Sequence, residues 1–422
     1  MIYIISILYS VFLYMFIDTL LATPLYWGMV ISGTTLLITS TVYYLYNVFI
    51  KKDKGINNIK IFIRKELTSF LIMLTVLLVF VLQLGRKITD WEVVLSQFLL
   101  IGNTFMVAKA YSFANKKNIF YLLSYMIPAL FLLICYKNAG YPGINKEQIL
   151  NIFENAGRIR NSFSFSHPNT AGNLAVGTIM ISIVYIANII KSKDHISLKI
   201  LKPIMLILLD IPLIAVLINT ASRNSILALL VFISSSIYFV LTNIKILPKV
   251  VKVILKALII IFVTLNIYNY VNTNYDKLLK DSNREGNFTI NLPILDTKEK
   301  KLFGLGLAYV GDFADKELIP GIKTTYVDNF YLYMYLCTGF VGLFFFLAAY
   351  LIIGIKLYIN MYKNKSLESN IIPALFISHM LLGIGETCVL YFTFTTGFLL
   401  TVIYLITNDE LYLKLDMENN NK

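Results

Sequence analysis

The chain has 422 residues, 57% of them hydrophobic and only 14% charged, with a formal net charge of +13. That balance excludes an ordinary soluble domain of this length and defines an integral membrane protein. The positive charge is no argument for nucleic acid, because membrane proteins gather Lys and Arg in their cytoplasmic loops.

A membrane span needs roughly 20 mostly apolar residues, and that template finds about twelve in chain order. They are 2–21, 25–50, 67–84, 93–114, 119–136, 174–190, 203–219, 226–243, 254–270, 329–355, 371–390 and 392–407. The opening "MIYIISILYSVF" lacks a basic leader and a small-residue cleavage site, so it reads as a retained first span. With the N-terminus inside, the inner segments hold 21 Lys and Arg and the short outer loops hold seven. This asymmetry puts both termini in the cytoplasm, against an anionic inner leaflet. The expectation is an all-α protein, with 1–422 forming one polytopic membrane domain.

Two outer segments are much longer than turns: 137–173, between the fifth and sixth spans, and 271–328, between the ninth and tenth. The first contains "GRIRNSFSFSHPNTAGN". Pro168 suits the first turn of the sixth span, with His167 or Ser166 as its N-cap. The amides and dipole of that helix start favour an anion, and Arg158 and Arg160 stand just upstream. "NTASRNSIL" places Ser222 and Arg223 at the outer end of the eighth span. "TTYVDNFYLYMYLCTGFVG" places Asp328 and Asn329 at the outer start of the tenth. "SNREGN" adds Arg284 from the long loop. Each residue alone also reads as a plain helix cap or a solvated charge. Their coincidence at three helix starts on one face predicts an outward cavity with several arginines, whose planar forks suit phosphate oxygens.

Ionisable residues inside spans are functional candidates by default. Asp210 lies beside Pro212 in the seventh span, Lys109 near the inner end of the fourth, and His379 and Glu386, seven apart, on one face of the eleventh. Lys109 can also snorkel inward, and Asp210 can pair with it or with tyrosine hydroxyls. Most of the 28 Tyr and 29 Phe read as interface belt and lipid-facing core. Those of "SFSF" and "NFYLYMY" are also positioned to stack sugars or line a polyprenyl groove. Cys135, Cys337 and Cys388 have no C-x-x-C spacing, and Walker, H-E-x-x-H and Asp-x-Asp signatures are absent from the sequence.

Four segments in order carry a resemblance: "RIRNSFSFSHPNTAG", "TASRNSILALL", "LFGLGLAYVGD" and "VDNFYLYMYLCTGFVG". Over 158–342 the chain resembles the bacterial O-antigen polymerase and ligase superfamily, especially Wzy-type polysaccharide polymerases of capsule and exopolysaccharide pathways. Ligases of that superfamily show a His-Asn pair where this chain has Asp328-Asn329, which favours the polymerase branch. The resemblance implies a GT-C-like glycosyltransferase in the bacterial cell membrane, its active site facing outside. Donor and acceptor would be undecaprenyl-diphosphate-linked glycans, and partners would include chain-length regulator and flippase proteins, with no nucleic acid. Arg160 and Arg223 would stabilise the leaving lipid diphosphate, and His167 or Asp328 would take the acceptor proton. Arg158, Asn169, Ser222, Arg284, Asn329 and Tyr331 would bind substrate. No cofactor and no metal is implied, since the arginines supply the positive charge. A lipid-linked oligosaccharide flippase or transporter, and a ligase of the same superfamily, are the alternatives.

Overall fold

The computed structural model describes residues 2–18, 22–49, 56–83, 91–113, 116–144, 149, 160–165, 167–192, 195–244, 247–280, 284–306, 317–319, 322–323, 327–389 and 395–420. The long helices are α1 (Ile2–Asp18), α2 (Ala22–Phe49), α3 (Ile56–Leu82), α4 (Trp91–Phe113), α5 (Lys117–Asn138), α6 (Pro168–Lys191), α7 (Ile196–Thr220), α8 (Arg223–Asn243) and α9 (Lys249–Lys280). Two short helices follow, α10 (Arg284–Asn291) and, after a 3-10 turn at Leu292–Ile294, α11 (Lys298–Phe303). A small antiparallel pair, β1 (Glu317–Ile319) and β2 (Ile322–Lys323), precedes α12 (Phe330–Asn364), α13 (Leu367–Gly385) and α14 (Thr395–Asn420).

Among the described residues, eight helices are long and apolar enough to cross a membrane. Their surfaces fit that reading. Helix α7 exposes Ile200, Ile204, Ile207, Leu208 and Ile211 at helical spacing while burying Asp210. A soluble protein hides such a stripe, whereas lipid rewards its exposure. Helix α6 is the most enclosed of the eight, with 83% of its apolar window buried. It packs against α5, α7, α8, α13 and α14 and so forms the hub of the bundle.

The buried Asp210 ties three of these helices together. Its carboxylate accepts from Ser182 Oγ of α6 at 2.6 Å and from Tyr125 OH of α5 at 3.0 Å. Lys109 is not its partner: that ammonium lies 2.8 Å from Asp409 of α14, which also accepts from Ser112 at 2.8 Å. Nearby, Lys117 bridges Glu368 at 2.9 Å and Glu410 at 2.6 Å, and Tyr121 OH donates to Glu368 at 2.7 Å. These charges sit at the ends of α4, α5 and α13 opposite to the site described below, and midway along α14.

Helices overlie the predicted apolar segments, eight of them long and apolar enough to cross a membrane among the described residues, and three departures from the predicted boundaries bear on the site. The 35 residues of α12, at 1.5 Å each, would measure about 52 Å, well beyond the roughly 30 Å core of a bilayer. The helix is broken instead at Gly339, whose φ of 65° and ψ of −168° are not helical. The break frees the carbonyls of Leu336 and Cys337, which accept from Leu305 N at 2.8 Å and Gly306 N at 3.0 Å. The Gly-x-Gly segment therefore docks backbone to backbone on the break. A Cβ on Gly304 would lie 2.3 Å from the Cys337 carbonyl, and one on Gly339 2.3 Å from that of Leu302. Gln83 at the end of α3 fastens the same loop by donating to Phe303 O at 3.1 Å.

The second change is that α13 ends at Gly385. Glu386 is extended, at φ −153° and ψ 150°, so the shared helical face expected for His379 and Glu386 does not exist. His379 instead lies fully buried in the bundle, with Nδ1 3.3 Å from Tyr404 OH. The third change is that α14 continues as a helix to Asn420, beyond the expected 407.

Candidate functional site

The turn between α7 and α8 supplies the floor of the site. Helix α7 ends at Thr220, Ala221 turns the chain with a left-handed φ of 47°, and Ser222 opens α8. Ser222 was expected to cap α8, but its side chain makes no cap bond. Its hydroxyl lies 2.8 Å from Ser225 Oγ, and Ser225 Oγ donates to Asn173 Oδ1 of α6 at 2.7 Å. Gly172, next to Asn173, lets the turn approach: a Cβ there would meet Ser222 Cβ at 2.7 Å. The "TAGN" and "TASRNS" stretches thus recognise each other directly, and Ser222 is spent on that contact.

The loop before α6 lies across this floor. Asn161 N donates to Asn219 O at 2.9 Å, and Arg160 Nε donates to Thr220 O at 3.2 Å. Phe163 and Phe165 are buried, with their rings against Tyr136 and Phe131 of α5. Those two phenylalanines anchor the loop, and their burial removes them from the sugar-stacking role open to them in the sequence. His167, rather than Ser166, is described as the N-cap of α6, its Nδ1 accepting from Asn169 N at 3.2 Å, with Pro168 in the first turn as expected. Ser166 lies outside the described residues.

Asn169 is the junction. Its Oδ1 accepts from Arg160 Nη2, and its Nδ2 donates to Glu386 Oε1. A guanidinium and a carboxamide from one loop-and-helix start and a carboxylate 217 residues beyond Asn169 are thereby joined in one line. Arg223 opens α8 three residues beyond Thr220, the residue whose carbonyl holds Arg160.

The far wall is the C-terminal part of α13, whose backbone carbonyls accept from side chains of the predicted motifs. Tyr331 OH donates to Met380 O at 2.7 Å, Asn224 Nδ2 to Leu382 O at 2.9 Å, and Asn329 Nδ2 to Ile384 O at 2.7 Å. Asn329 also caps α12, its Oδ1 accepting from Leu332 N at 2.9 Å. Asn329 and Tyr331, expected to bind substrate, tie α12 to α13 through the polar atoms just named. Asp328, half-buried, immediately precedes that cap.

Arg160, His167, Asn169, Ser222, Arg223, Asp328, Asn329 and Tyr331 thus belong to segments that meet around one helix end. Arg158 lies outside the described residues. Arg284 begins α10, but its side chain is outside them too, so the expected third cation has no described position at the site. Asn224 was missed as a site residue, hidden inside "SRNS", and Glu386 was a functional candidate expected on a helical face with His379 rather than beside these segments. The signal for Glu386 was "GIGE": glycines ending an apolar run directly before an acid. Among the described residues no group of three His, Cys, Asp or Glu side chains is placed to hold a metal ion. A cavity of about 460 Å³ lined by Tyr3, Tyr43, Tyr46 and Tyr111, among others, shares no residue with this site.

Fold and site together define a multi-pass helical membrane protein with a charged, hydrogen-bonded polar centre at one end of its bundle. No protein-family model matches the chain, and no curated protein matches it.

Proposed function

We propose that this chain is a membrane glycosyltransferase that polymerises undecaprenyl-diphosphate-linked oligosaccharide repeat units at the outer face of a bacterial cell membrane. In this reading the chain spans the bilayer twelve times with both termini in the cytoplasm. The observation that carries the proposal is the meeting of three separate segments, around Arg160, Arg223 and Asn329, at the end of α13. Those segments include three of the four that carry the resemblance to polysaccharide polymerases. Of the fourth, "LFGLGLAYVGD", the described residues 302–306 dock on α12, the helix that Asn329 caps.

The chemistry follows from the charges. No nucleotide triphosphate is needed, because the lipid diphosphate is itself a competent leaving group. Negative charge grows on it as the glycosidic bond breaks. A fixed cation placed there in a water-poor site lowers the barrier by a few kcal/mol. Arg160 suits this task because Thr220 and Asn169 fix its guanidinium before substrate arrives. Arg223 and the N-terminal amides of α6 add to the same positive corner. The acceptor hydroxyl needs a proton acceptor, for which the sequence offers His167 and Asp328. The polar atoms of Asn329, Tyr331 and Ser222 keep the helices in register around that centre.

Arg160→Ala or Arg223→Ala yields a folded, inserted protein that makes no chain longer than one repeat unit, scored by glycan length on gels. If single units instead fail to reach the outer face, the protein is a flippase. If elongation persists and transfer to a different acceptor is lost, it is a ligase. Purified protein elongates synthetic lipid-diphosphate repeat units in the presence of a chelator, and strict dependence on a divalent ion overturns the arginine mechanism.

A further inference from the structure

We infer that Glu386 is the general base of this site, removing the proton of the attacking sugar hydroxyl; the inference rests on the glycosyl-transfer reading above. Glu386 is only 7% exposed, yet it lies beyond the end of α13 on extended backbone, which turns it out of the helix toward Asn169. Its Oε1 accepts from Asn169 Nδ2, and Asn169 in turn accepts from Arg160. The orientation of the carboxylate is therefore tied to that of the cation assigned to the leaving group. Burial keeps bulk water from competing as proton acceptor.

The two bases expected from the sequence stand at helix starts. His167 uses Nδ1 to accept from the Asn169 amide as the cap of α6, and the residue is exposed. Asp328 precedes the Asn329 cap of α12, and Glu386 is hydrogen-bonded into the Arg160–Asn169 line. In the transfer step the acceptor oxygen forms its bond to C1 of the donor while its proton passes to Glu386. The bond from C1 to the diphosphate oxygen breaks, and its electron pair stays on the lipid diphosphate beside Arg160. The protonated Glu386 then returns its proton to water.

The test uses the full-length chain in vesicles with synthetic lipid-diphosphate repeat units. Glu386→Gln keeps an oxygen for Asn169 but no base, and turnover falls by about 100-fold or more. Its donor KM stays within about three-fold of wild type, as expected when only a transition-state interaction is lost. Glu386→Asp, which keeps a carboxylate on a shorter arm, retains more turnover than Glu386→Gln. Added formate raises the turnover of Glu386→Ala and leaves that of Glu386→Gln unchanged, because the small acid enters only where the side chain has gone. A Glu386→Gln variant with near-wild-type turnover, equal losses in Asp and Gln, or no formate effect on Glu386→Ala each overturns the assignment. In those cases transfer by the wild type still stands. A wild-type chain that elongates nothing sinks the glycosyl-transfer reading and this inference with it.

Discussion

Asn169 has one planar amide and uses both ends of it, receiving from Arg160 and giving to Glu386. A side chain so committed does not act as acid or base; it sets the distance and angle between groups that do. Asp210 makes the same kind of commitment within the bundle, where an ionisable residue inside a span serves either as a proton relay or as a tie. Ser182 and Tyr125 both donate to it, which is the pattern of a tie between helices. Asp210→Asn keeps an acceptor oxygen and leaves thermal unfolding in detergent almost unchanged. Asp210→Ala strands the Ser182 hydroxyl, leaves Tyr125 OH only its long 3.4 Å bond to Leu206 O, and costs about 1–3 kcal/mol. Both variants elongate glycans at the wild-type rate, and a large loss of turnover in Asp210→Asn revives the relay. Much of the site was legible because arginine, His-Pro-Asn and Ser-Arg segments are unusual at the starts of apolar helices. Glu386 was illegible because its role depends on a helix stopping one residue earlier, a tertiary event that hydropathy smooths over. The structural duties of Asn329 and Tyr331 were hidden for a related reason: their partners are backbone carbonyls fifty or so residues away.

The helices themselves were readable from apolar length, since lipid permits few other ways to satisfy a backbone. Their interruptions were not. A 35-residue apolar helix gives no sequence warning that Gly339 will break it, because glycine is common within membrane spans. The reason for the break is the loop that docks there. Two amides of the Gly-x-Gly segment complete the carbonyls of Leu336 and Cys337, and only glycines at 304 and 339 allow the backbones that close. Both sites also have left-handed φ values, 74° and 65°, which disfavour any side chain. Gly339→Ala and Gly304→Ala each therefore cost about 1–3 kcal/mol. Limited proteolysis reads the effect as faster cleavage around 292–306, while the membrane-embedded helices stay protected. An unchanged cleavage rate in both variants means that the loop is not held by this contact. Because α12 also begins with Asn329, undocking the loop slows glycan elongation in the same variants.

Across the whole bundle, polar chemistry is concentrated at two opposite ends. One end holds the Arg160–Asn169–Glu386 line, and the other holds Lys109, Lys117, Glu368, Asp409 and Glu410. The second group joins residues nearly 300 positions apart, so it closes the end of the chain onto α4 and α5. It sets two ammonium groups against three carboxylates, and each carboxylate lies within 2.9 Å of an ammonium. Asp409 is 0% exposed and Lys109 8%, which makes this pair a direct measure of closure. Lys109→Leu leaves Asp409 buried without its ammonium and lowers stability by about 3–5 kcal/mol. Lys109→Leu combined with Asp409→Leu removes both charges. Ser112 then still donates to Ala108 O at 2.7 Å, so no hydroxyl is orphaned, and most of the lost stability returns. A double-mutant cycle on thermal unfolding in detergent checks this: additive losses show that the pair does not couple α4 to α14. Because the pair lies at the end away from Glu386, the double variant keeps wild-type glycan turnover once folded. A fall in turnover without a fall in stability would instead make the two ends a coupled system, with the closure of α14 setting the geometry of the transfer site.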